Sequence, residues 1–373
     1  MQKRSIVFFG VKYFPSRGGV SRVVESVINN LKDDYDITIY CYTHPKAADH
    51  IKGVKTIQFD EIPVKGIGVF LYLCKCYFHL MFKGKHDLVH LHKIDAAIFL
   101  PLLLLKFPKI LATSHESSYL RDKWGPIAKT YFKLSERILV RSKATPTVIS
   151  YPLSLEYERR FGRPVKFIPN GVEPLSDFGG SQATEIMQSH GIKKPYVAFA
   201  ARRLMSTKGA HTMLKAFRKM EFEQDILIAG ESNHTGSYVQ ELKNLSVGLE
   251  VKEVGFISHK PTLFDLIKNS ELFIFPSETE GMSIMLLEVA LLGIPIIASD
   301  IPENTAVFDN TQLTFFKDRD SEDLAEKIKW FYENRDTANH KANKAKEKVA
   351  NQYSGKAMAG YYKAEYDRLL QSS

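Results

Sequence analysis

Residues 271–304 have the sequence ELFIFPSETEGMSIMLLEVALLGIPIIASDIPEN, in which two short apolar runs flank a longer one. ELFIFP (271–276) and IPIIAS (294–299) have strand length and lie beside Pro and Gly, a pattern that predicts buried strands. From Met282 onward the longer run predicts a helix. A strand, a helix and a second strand in this order predict a βαβ unit in a parallel sheet.

The same alternation extends along the whole chain. Upstream of this unit, YVAFAA (196–201), DILIAG (225–230) and VKEVGF (251–256) predict strands, each followed by sequence of helical period. The strands predicted in the first half are Ser5–Gly10, Asp36–Tyr42, Val54–Phe59, Leu88–His92, Ile110–Thr113, Thr147–Ser150 and Lys166–Ile168. The predicted fold class is therefore α/β, with two Rossmann-like domains built on parallel sheets.

The domain boundaries follow from length and composition. A chain of 373 residues is expected to form two domains, since an ordinary domain has about 150 residues. Residues 1–172 are predicted to form the first domain, 173–190 a linker rich in Gly, Pro and Ser, and 191–350 the second domain. Residues 351–373 form a final helix with no strand after it, and we expect this helix to pack back toward the first domain.

The bulk composition is typical of a soluble globular protein, with 44% apolar and 25% charged residues. Three cysteines without metal-site spacing favour neither a disulfide framework nor a zinc site. The most apolar stretch, 98–111, is interrupted by Pro and Lys and is shorter than the roughly 20 residues of a membrane span. With no signal-peptide pattern at the N-terminus, we expect a cytoplasmic protein.

Positive charge is concentrated in the first half of the chain. Residues 1–172 contain 27 Lys and Arg against 14 Asp and Glu, whereas the whole chain has a net charge of +9. This asymmetry is compatible with a solvated basic face or with an anionic partner such as lipid phosphate or the membrane surface. No RNA-binding signature accompanies it, so nucleic acid is not an expected partner.

Two loops carry residue types that suit a phosphate ligand. Gly18 and Gly19 precede a helix, where they form either a tight turn or a loop that offers amide groups to an anion. Arg203 and Lys208 follow the strand YVAFAA, where two cations would suit a departing diphosphate or would simply be surface charges. Arg202 competes with Arg203, because adjacent strand residues point to opposite faces.

The segment after the ELFIFP strand combines two carboxylates with a glycine. Glu280 is predicted in the loop at the strand end, and Gly281 allows a ligand to approach the backbone. Glu288 lies about two helical turns further along and would accept hydrogen bonds from ligand hydroxyls. A solvated helix position is the other interpretation of Glu288, but its apolar neighbours argue that the carboxylate needs a partner.

Histidines end two neighbouring strands. His90 and His92 close one predicted strand, and His115 follows the next, so each is either a ligand-facing or a satisfied structural histidine. The acidic run Asp318–Asp320 precedes a helix near Ser321, which favours helix capping over metal binding.

As a set, these segments resemble the retaining nucleotide-sugar transferases of glycosyltransferase family 4, which have the GT-B fold. The motifs that carry the resemblance are PSRGGVSRVVESV (15–27), HLHKIDAA (90–97), SHESSYLRDKWG (114–125), KFIPNGV (166–172), RRLMSTKG (202–209), ILIAGES (226–232) and the stretch 276–304. The segments 114–125 and 299–304 are most similar to bacterial surface-polysaccharide members, including a group described as rhamnosyltransferases. Such a fold implies two sheets that face each other across a cleft.

The resemblance also implies roles for individual residues. Arg203 and Lys208 would bind the donor diphosphate, and Glu280 would lie near the donor-sugar hydroxyls with Glu288 at the ribose. Donor binding would further involve Gly18, Gly19, Gly281 and the backbone of Met282, Ser283 and Ile284. His115 would lie at the reacting centre. One departure is Met282-Ser283, where family members often have Phe-Gly, and it bears on how the donor sugar fits.

The expected reaction is transfer of a hexosyl or deoxyhexosyl group from a nucleoside diphosphate sugar to an acceptor hydroxyl, with retained anomeric configuration. A lipid-linked glycan is the expected acceptor. Peripheral contact with the anionic inner membrane surface is compatible with this acceptor. No cofactor or essential metal is expected. Two alternatives stay open at this point: a sugar-nucleotide epimerase on the same fold, and a catalytically silent nucleotide-sugar-binding subunit.

Overall fold

The computed structural model describes residues 3–371, apart from 65, 118, 120–123, 176–177, 179 and 233–235. These residues form two compact units, of which unit 1 comprises Met1–Glu173 with Tyr353–Ser373 and unit 2 comprises Pro174–Gln352. Each unit contains one parallel sheet with helices, so the prediction of two Rossmann-like α/β domains is confirmed. Part of the family-like segment 114–125 lies outside the described residues.

The sheet of unit 1 has seven parallel strands in the order β3-β2-β1-β4-β5-β6-β7. Their bounds are Ser5–Phe9 (β1), Asp36–Tyr42 (β2), Lys55–Phe59 (β3), Leu88–His92 (β4), Ile110–Ser114 (β5), Thr145–Val148 (β6) and Lys166–Phe167 (β7). The helices of this unit are Gly19–Leu31 (α1), Gly68–Lys83 (α2), Leu100–Leu103 (α3), Pro126–Arg141 (α4), Tyr151–Phe161 (α5) and the final helix Gly355–Gln371 (α14). The central strands are fully buried, as parallel strands covered on both faces must be.

The sheet of unit 2 has six parallel strands in the order β10-β9-β8-β11-β12-β13. Their bounds are Tyr196–Arg203 (β8), Asp225–Glu231 (β9), Val251–Gly255 (β10), Leu272–Phe275 (β11), Ile296–Ser299 (β12) and Thr314–Phe316 (β13). The helices are Ser181–Ser189 (α6), Ala210–Lys219 (α7), Gly236–Leu245 (α8), Lys260–Lys268 (α9), Ile284–Leu292 (α10), Pro302–Thr305 (α11), Ser321–Glu333 (α12) and Arg335–Gln352 (α13).

The main differences between the predicted and observed elements concern β13, β6 and the linker. Strand β13 was not predicted, because three residues are too short to show a period. Strand β6 lies at Thr145–Val148 rather than Thr147–Ser150: it includes Pro146, a residue that argues against a strand, and Ser150 is the N-cap residue of α5. The predicted linker 173–190 is also too long, since α6 forms within it and Gln182 accepts a hydrogen bond from Thr262.

The final helix α14 belongs to unit 1. Tyr366 is fully buried and its hydroxyl lies 2.6 Å from Nδ1 of His90 on β4. Near the same end of the helix, the Tyr35 hydroxyl donates to Asp367 at 2.5 Å. Buried aromatic contacts and hydrogen bonds therefore tie the end of the chain to the sheet that begins it.

No helix in the described part of the chain has both the length and the apolar character needed to cross a membrane.

Candidate active site

The carboxyl ends of neighbouring parallel strands meet at one edge of the unit 2 sheet. Strand β8 lies between β9 and β11. Strand β8 ends at Arg203, β9 at Glu231 and β11 at Phe275. The loop after β8 includes a single 3₁₀ turn, Ser206–Lys208, and the loop after β11 leads into α10. Ligands of open parallel sheets bind in the crevice at this edge, so a site is expected here.

Gly209 fixes how the two loops meet. Its φ is +69°, and a Cβ atom at this position would lie 1.8 Å from the carbonyl oxygen of Pro276. The Glu278 amide also donates to the Thr207 carbonyl at 2.9 Å. Only glycine permits both this backbone angle and this approach, so the loop after β8 packs directly on the loop after β11.

This contact brings two of the predicted residues together. Lys208 Nζ donates to Glu280 Oε1 at 2.5 Å, and both side chains are largely buried. Arg203 lies on the neighbouring part of the edge, with Nε 3.6 Å from Glu231 Oε2 at the irregular end of the β8 and β9 pairing. Arg202 is exposed like Arg203 and also has an interaction partner, so burial does not separate the two arginines.

Glu288 is 3% exposed in the middle of α10, and its carboxylate forms an ion pair with Lys260. The interpretation of Glu288 as a solvated helix residue is therefore wrong, whereas the need for a partner is confirmed. Lys260 is the first residue of α9, and the sequence patterns did not single it out. The signal that could have found it is the buried carboxylate itself, because such a group requires a cation or donor from another element.

A second set of charges surrounds Glu278 in the same loop, and the sequence patterns also missed it. Glu278 accepts from Arg319 Nε at 2.8 Å and lies 3.3 Å from His211 Nε2, and Nδ1 of His211 lies 3.0 Å from the Tyr238 hydroxyl. Burial lowers the pKa of His211, although the nearby Glu278 carboxylate opposes that shift. Glu278, which lies two residues before Glu280, is thus flanked by Arg319 and His211.

The start of α10 differs slightly from the prediction. The helix begins at Ile284 rather than at Met282, because Ser283 is its N-cap residue and accepts from the Leu286 amide at 3.3 Å. Gly281 and the buried Met282 precede this cap. The amides at the start of α10 therefore follow closely after Glu280, at the same edge of the unit 2 sheet.

The acidic run Asp318–Asp320 caps a helix, as predicted. Asp320 is the N-cap residue of α12 and accepts from the amides of Glu322 and Asp323 at 3.0 and 3.1 Å. No group of three or more His, Cys, Asp or Glu side chains that could hold a metal ion occurs among residues that the structure describes.

The remaining predicted residues, Gly18, Gly19 and His115, lie in unit 1. Helix α1 begins at Gly19, with Gly18 as N-cap residue. Gly18 has φ −175°, an extended conformation open to any residue, so backbone geometry gives no reason for glycine there.

His115 follows β5 and is 5% exposed. Its Nε2 lies 3.0 Å from Nδ1 of His92, whereas its own Nδ1 is buried without a hydrogen-bond partner within the described chain. Burial, reinforced by the Lys93 ammonium, lowers the pKa of His115 to about 3, so the imidazole is neutral at physiological pH. His90, in contrast, is satisfied by Tyr366 and by Thr113, and it is a structural histidine.

His115 lines a groove of about 1320 Å³ in unit 1. We call it the unit 1 groove; its walls come from the loop before α2, the first half of α2, the turn after β4 and the start of α4. Its apolar wall includes Val69, Phe70, Leu73, Trp124, Tyr131 and Phe132. A groove of this size and lining is large enough for a substrate with an extended apolar part.

Comparison with known proteins assigns each part of the chain to a family. The family model "Glycosyltransferase Family 4" matches residues 17–174, and the model "Glycosyl transferases group 1" matches residues 182–348. Anabaena HepE, solved with UDP and glucose, has a TM-score of 0.79 at 17% identity, covering 98% of this chain and all of that one. Sucrose-phosphate synthase from Thermosynechococcus elongatus has a TM-score of 0.80 at 18% identity over the whole of both chains.

Two curated relatives match this chain at 24% identity. The TuaC protein of Bacillus subtilis, a putative teichuronic acid biosynthesis glycosyltransferase, is 24% identical over 54% of this chain and 50% of its own length. The chain thus spans about half the length of that relative. The Escherichia coli UDP-Gal:α-D-GlcNAc-diphosphoundecaprenol α-1,3-galactosyltransferase is 24% identical over 80% of this chain and 81% of its own length.

The fold, with its two parallel sheets, and both family models define a glycosyltransferase of GT-B architecture. More particularly, the chain belongs to glycosyltransferase family 4, with a group 1 glycosyltransferase domain following its family 4 domain. The resemblance to this family, stated from the motifs, is therefore confirmed.

The contact between Gly209 and Pro276 yields a stability prediction. Alanine at a positive φ costs roughly 1–2 kcal/mol, and Gly209→Ala would in addition force the two loops of the site apart. We expect its free energy of unfolding, measured by urea titration, to fall by clearly more than that of Gly248→Ala. Gly248 is the matched control because its φ is +85° but an added Cβ would meet no atom within 4 Å. Equal losses in the two variants would show that the Pro276 contact does not matter.

Proposed function

We propose that this glycosyltransferase moves a hexosyl or deoxyhexosyl group from a nucleoside diphosphate sugar to an acceptor hydroxyl and retains the anomeric configuration. The observation that carries the proposal is the Lys208 and Glu280 pair beside Arg203, on loops that the Gly209 and Pro276 contact holds together. Cations, a carboxylate and helix-start amides converge there at the carboxyl ends of parallel strands. Such an arrangement suits a sugar diphosphate.

The chemistry assigned to this cluster is stabilisation of the leaving group. In the reaction, the bond from the anomeric carbon to the diphosphate oxygen breaks, and a bond to the acceptor oxygen forms on the same face of the sugar. The acceptor proton passes to the departing diphosphate, so no separate carboxylate base is needed. Lys208 has three N–H donors and can serve Glu280 and a phosphoryl oxygen together, while Arg203 adds a permanent positive charge. We therefore propose that no metal ion is essential.

Glu288 is the proposed contact for the ribose hydroxyls of the donor. A carboxylate that is 3% exposed would be costly to bury alone, and the ion pair with Lys260 offsets that cost. One carboxylate oxygen can then accept from a hydroxyl while the pair persists. Glu280, Gly281 and the backbone of Met282, Ser283 and Ile284 complete the proposed donor site of unit 2.

In unit 1, we propose that the groove beside His115 binds the acceptor, with Gly18 and Gly19 offering amide groups to substrate phosphate. A lipid-linked glycan is the proposed acceptor. The Escherichia coli relative is named for a diphosphoundecaprenol-linked sugar and UDP-Gal, and HepE was solved with UDP, which together support this class of substrates. A role in bacterial surface-polysaccharide synthesis is consistent with the name of the Bacillus relative.

One face of α2 supports peripheral contact with an anionic membrane. Leu71, Lys75, Phe78 and Phe82 recur at helical spacing and are exposed, Phe82 by 82% of its surface. Lys106 donates to the Met81 carbonyl at 2.6 Å and so attaches the segment after α3 to the end of this helix. We call this surface, together with the exposed Leu102 and Leu105, the aromatic-basic face.

The charge of the aromatic-basic face has one sign. Residues 66–86 and 96–115 contain five lysines and no Asp or Glu. Exposed aromatic side chains with lysines among them are the combination that binds the interface of an anionic bilayer. We propose that the enzyme acts at the cytoplasmic face of the membrane, where a lipid-linked acceptor would be found.

Donor binding is tested by thermal unfolding of the purified protein with UDP, GDP, dTDP or CMP. A ligand at a hundred times its Kd adds about 2.7 kcal/mol to native stability, and we expect one nucleotide to raise Tm by about 5 °C on that scale. In Arg203→Ala and Glu288→Gln, the nucleotide should no longer raise Tm above the Tm of the same variant without nucleotide. Lys219→Ala is the control, since it removes an exposed ion pair of the same unit with Glu322. If no nucleotide stabilises the wild type, or Arg203→Ala keeps the full shift, the proposed donor site is wrong.

Transfer and metal dependence are tested with the stabilising nucleotide's sugar and a polyprenyl-diphosphate-linked sugar as acceptor. We expect Lys208→Ala to lower kcat by at least about a hundredfold, because a donor to the leaving group is lost. Activity after chelation of divalent metals should stay within twofold, and NMR of the product should show the donor's anomeric configuration. Dependence on Mg²⁺ or an inverted product would contradict the proposed chemistry, and donor turnover without acceptor would indicate an epimerase.

Membrane contact is tested by sedimentation with vesicles that contain about a third phosphatidylglycerol. Wild-type protein should bind them and should be released by high salt, because part of the attraction is electrostatic. Phe78→Ser with Phe82→Ser should weaken binding at least tenfold, since each ring contributes roughly 1.5–3 kcal/mol when buried. Val247→Ser, 71% exposed in unit 2, is the control and should bind normally. Unchanged sedimentation of the double variant would remove the aromatic-basic face from the proposal.

A further inference from the structure

Lys93 has an unusual backbone conformation. It follows β4 directly and has φ +73° and ψ 149°, a region that only glycine adopts without cost. The conformation is held by a hydrogen bond from the Lys93 amide to the Thr113 carbonyl at 3.0 Å and by its neighbours His92 and Ile94, which are 0% and 2% exposed. Glycine would relieve the strain, so the presence of lysine indicates a use for its side chain.

The Lys93 ammonium is distinguished by its lack of a partner. Lys208 and Lys260 each form an ion pair with a carboxylate. Lys93 is half-buried and lines the unit 1 groove, yet within the described part of the chain it forms neither an ion pair nor a side-chain hydrogen bond. A half-buried cation at the end of a parallel strand, in a groove with apolar walls, favours an anionic ligand group.

Lys93 lies beside His115, at one side of the groove. Both residues line the groove, and the Lys93 amide donates to the carbonyl of Thr113, two residues before His115. The charge of Lys93 also lowers the pKa of His115. Nδ1 of His115 is the second polar group there without a partner in the described chain.

The acidic residues of the groove do not pair with Lys93 in the described chain. Glu61 and Asp95 line the groove as well, but neither forms an ion pair with Lys93 within the described chain. Glu116 has an interaction partner within the chain. The unpaired Lys93 ammonium is thus suited to an anion, and the apolar walls of α2 and α4 are suited to a hydrocarbon chain.

We infer that the unit 1 groove binds an amphiphile with a hydrocarbon chain and a phosphate group, and that Lys93 binds the phosphate. This inference rests on the proposed function in one respect, since a polyprenyl-diphosphate-linked acceptor is such a molecule. His115 contributes a neutral hydrogen-bonding group beside the phosphate. The strained backbone at Lys93 directs the ammonium into the groove, where glycine would leave no charge.

The inference is tested by binding rather than by turnover, with farnesyl diphosphate and farnesol as probes. Trp124 lines the groove and is one of two tryptophans, so Trp330→Phe leaves a single fluorescent reporter at the site. In this background we expect farnesyl diphosphate to bind at least tenfold more tightly than farnesol. Lys93→Gly and Lys93→Gln should reduce that preference to within twofold, and Lys93→Arg should keep it. Lys93→Gly should melt no lower than its parent, because the strain is relieved.

The controls separate the possible results. Arg203→Ala, in unit 2, should keep the preference for farnesyl diphosphate, and loss of the preference in that variant would place the diphosphate outside the groove. A wild-type protein that binds both probes equally, or Lys93→Gln with its preference intact, would overturn the inference. Nucleotide binding is measured separately. A negative result with farnesyl diphosphate therefore does not contradict the proposed donor site, and a negative result with nucleotides does not change how farnesyl diphosphate binding is interpreted.

Discussion

Parallel pairing is the constraint on which the rest of each unit depends. Every strand in both sheets runs in the same direction as its neighbours, so the loops that follow neighbouring strands emerge at one edge. In unit 2 this constraint sets the loop after β8 against the loop after β11, and Gly209 allows their backbones to touch at Pro276. Lys208 consequently meets Glu280, 72 residues further along the chain. The chemistry proposed for the site follows from this meeting.

Carboxylates at the unit 2 edge are each matched by a cation. Glu280 has Lys208, Glu288 has Lys260, and Glu278 has Arg319. Burying a carboxylate alone would cost several kcal/mol, and a nearby opposite charge offsets that cost in a low-dielectric setting. The site can therefore hold acceptor groups for sugar and ribose hydroxyls without destabilising the fold, while the basic side chains still have donors for phosphoryl oxygens.

Helix α2 shows how one element serves two surfaces of unit 1. Phe70 and Leu73 in its first half line the groove, whereas Phe78 and Phe82 in its second half are exposed. The helix thus has apolar residues on its solvent side as well as its core side, unlike an ordinary surface helix. We propose that both surfaces serve one lipid substrate: the groove binds its hydrocarbon chain, and the exposed rings contact the bilayer.

Sequence alone determined the features that depend on local pattern. Buried strands are recognised as apolar runs, and the cap at Asp320 is recognised as an acidic residue before a helix. The need of Glu288 for a partner follows from a carboxylate among apolar neighbours. Only the tertiary structure decided which partner that is. Lys260 lies 28 residues away and meets Glu288 because α9 packs on α10. The strain at Lys93 was equally hidden, because a backbone angle forced by surrounding packing leaves no trace in residue type or period.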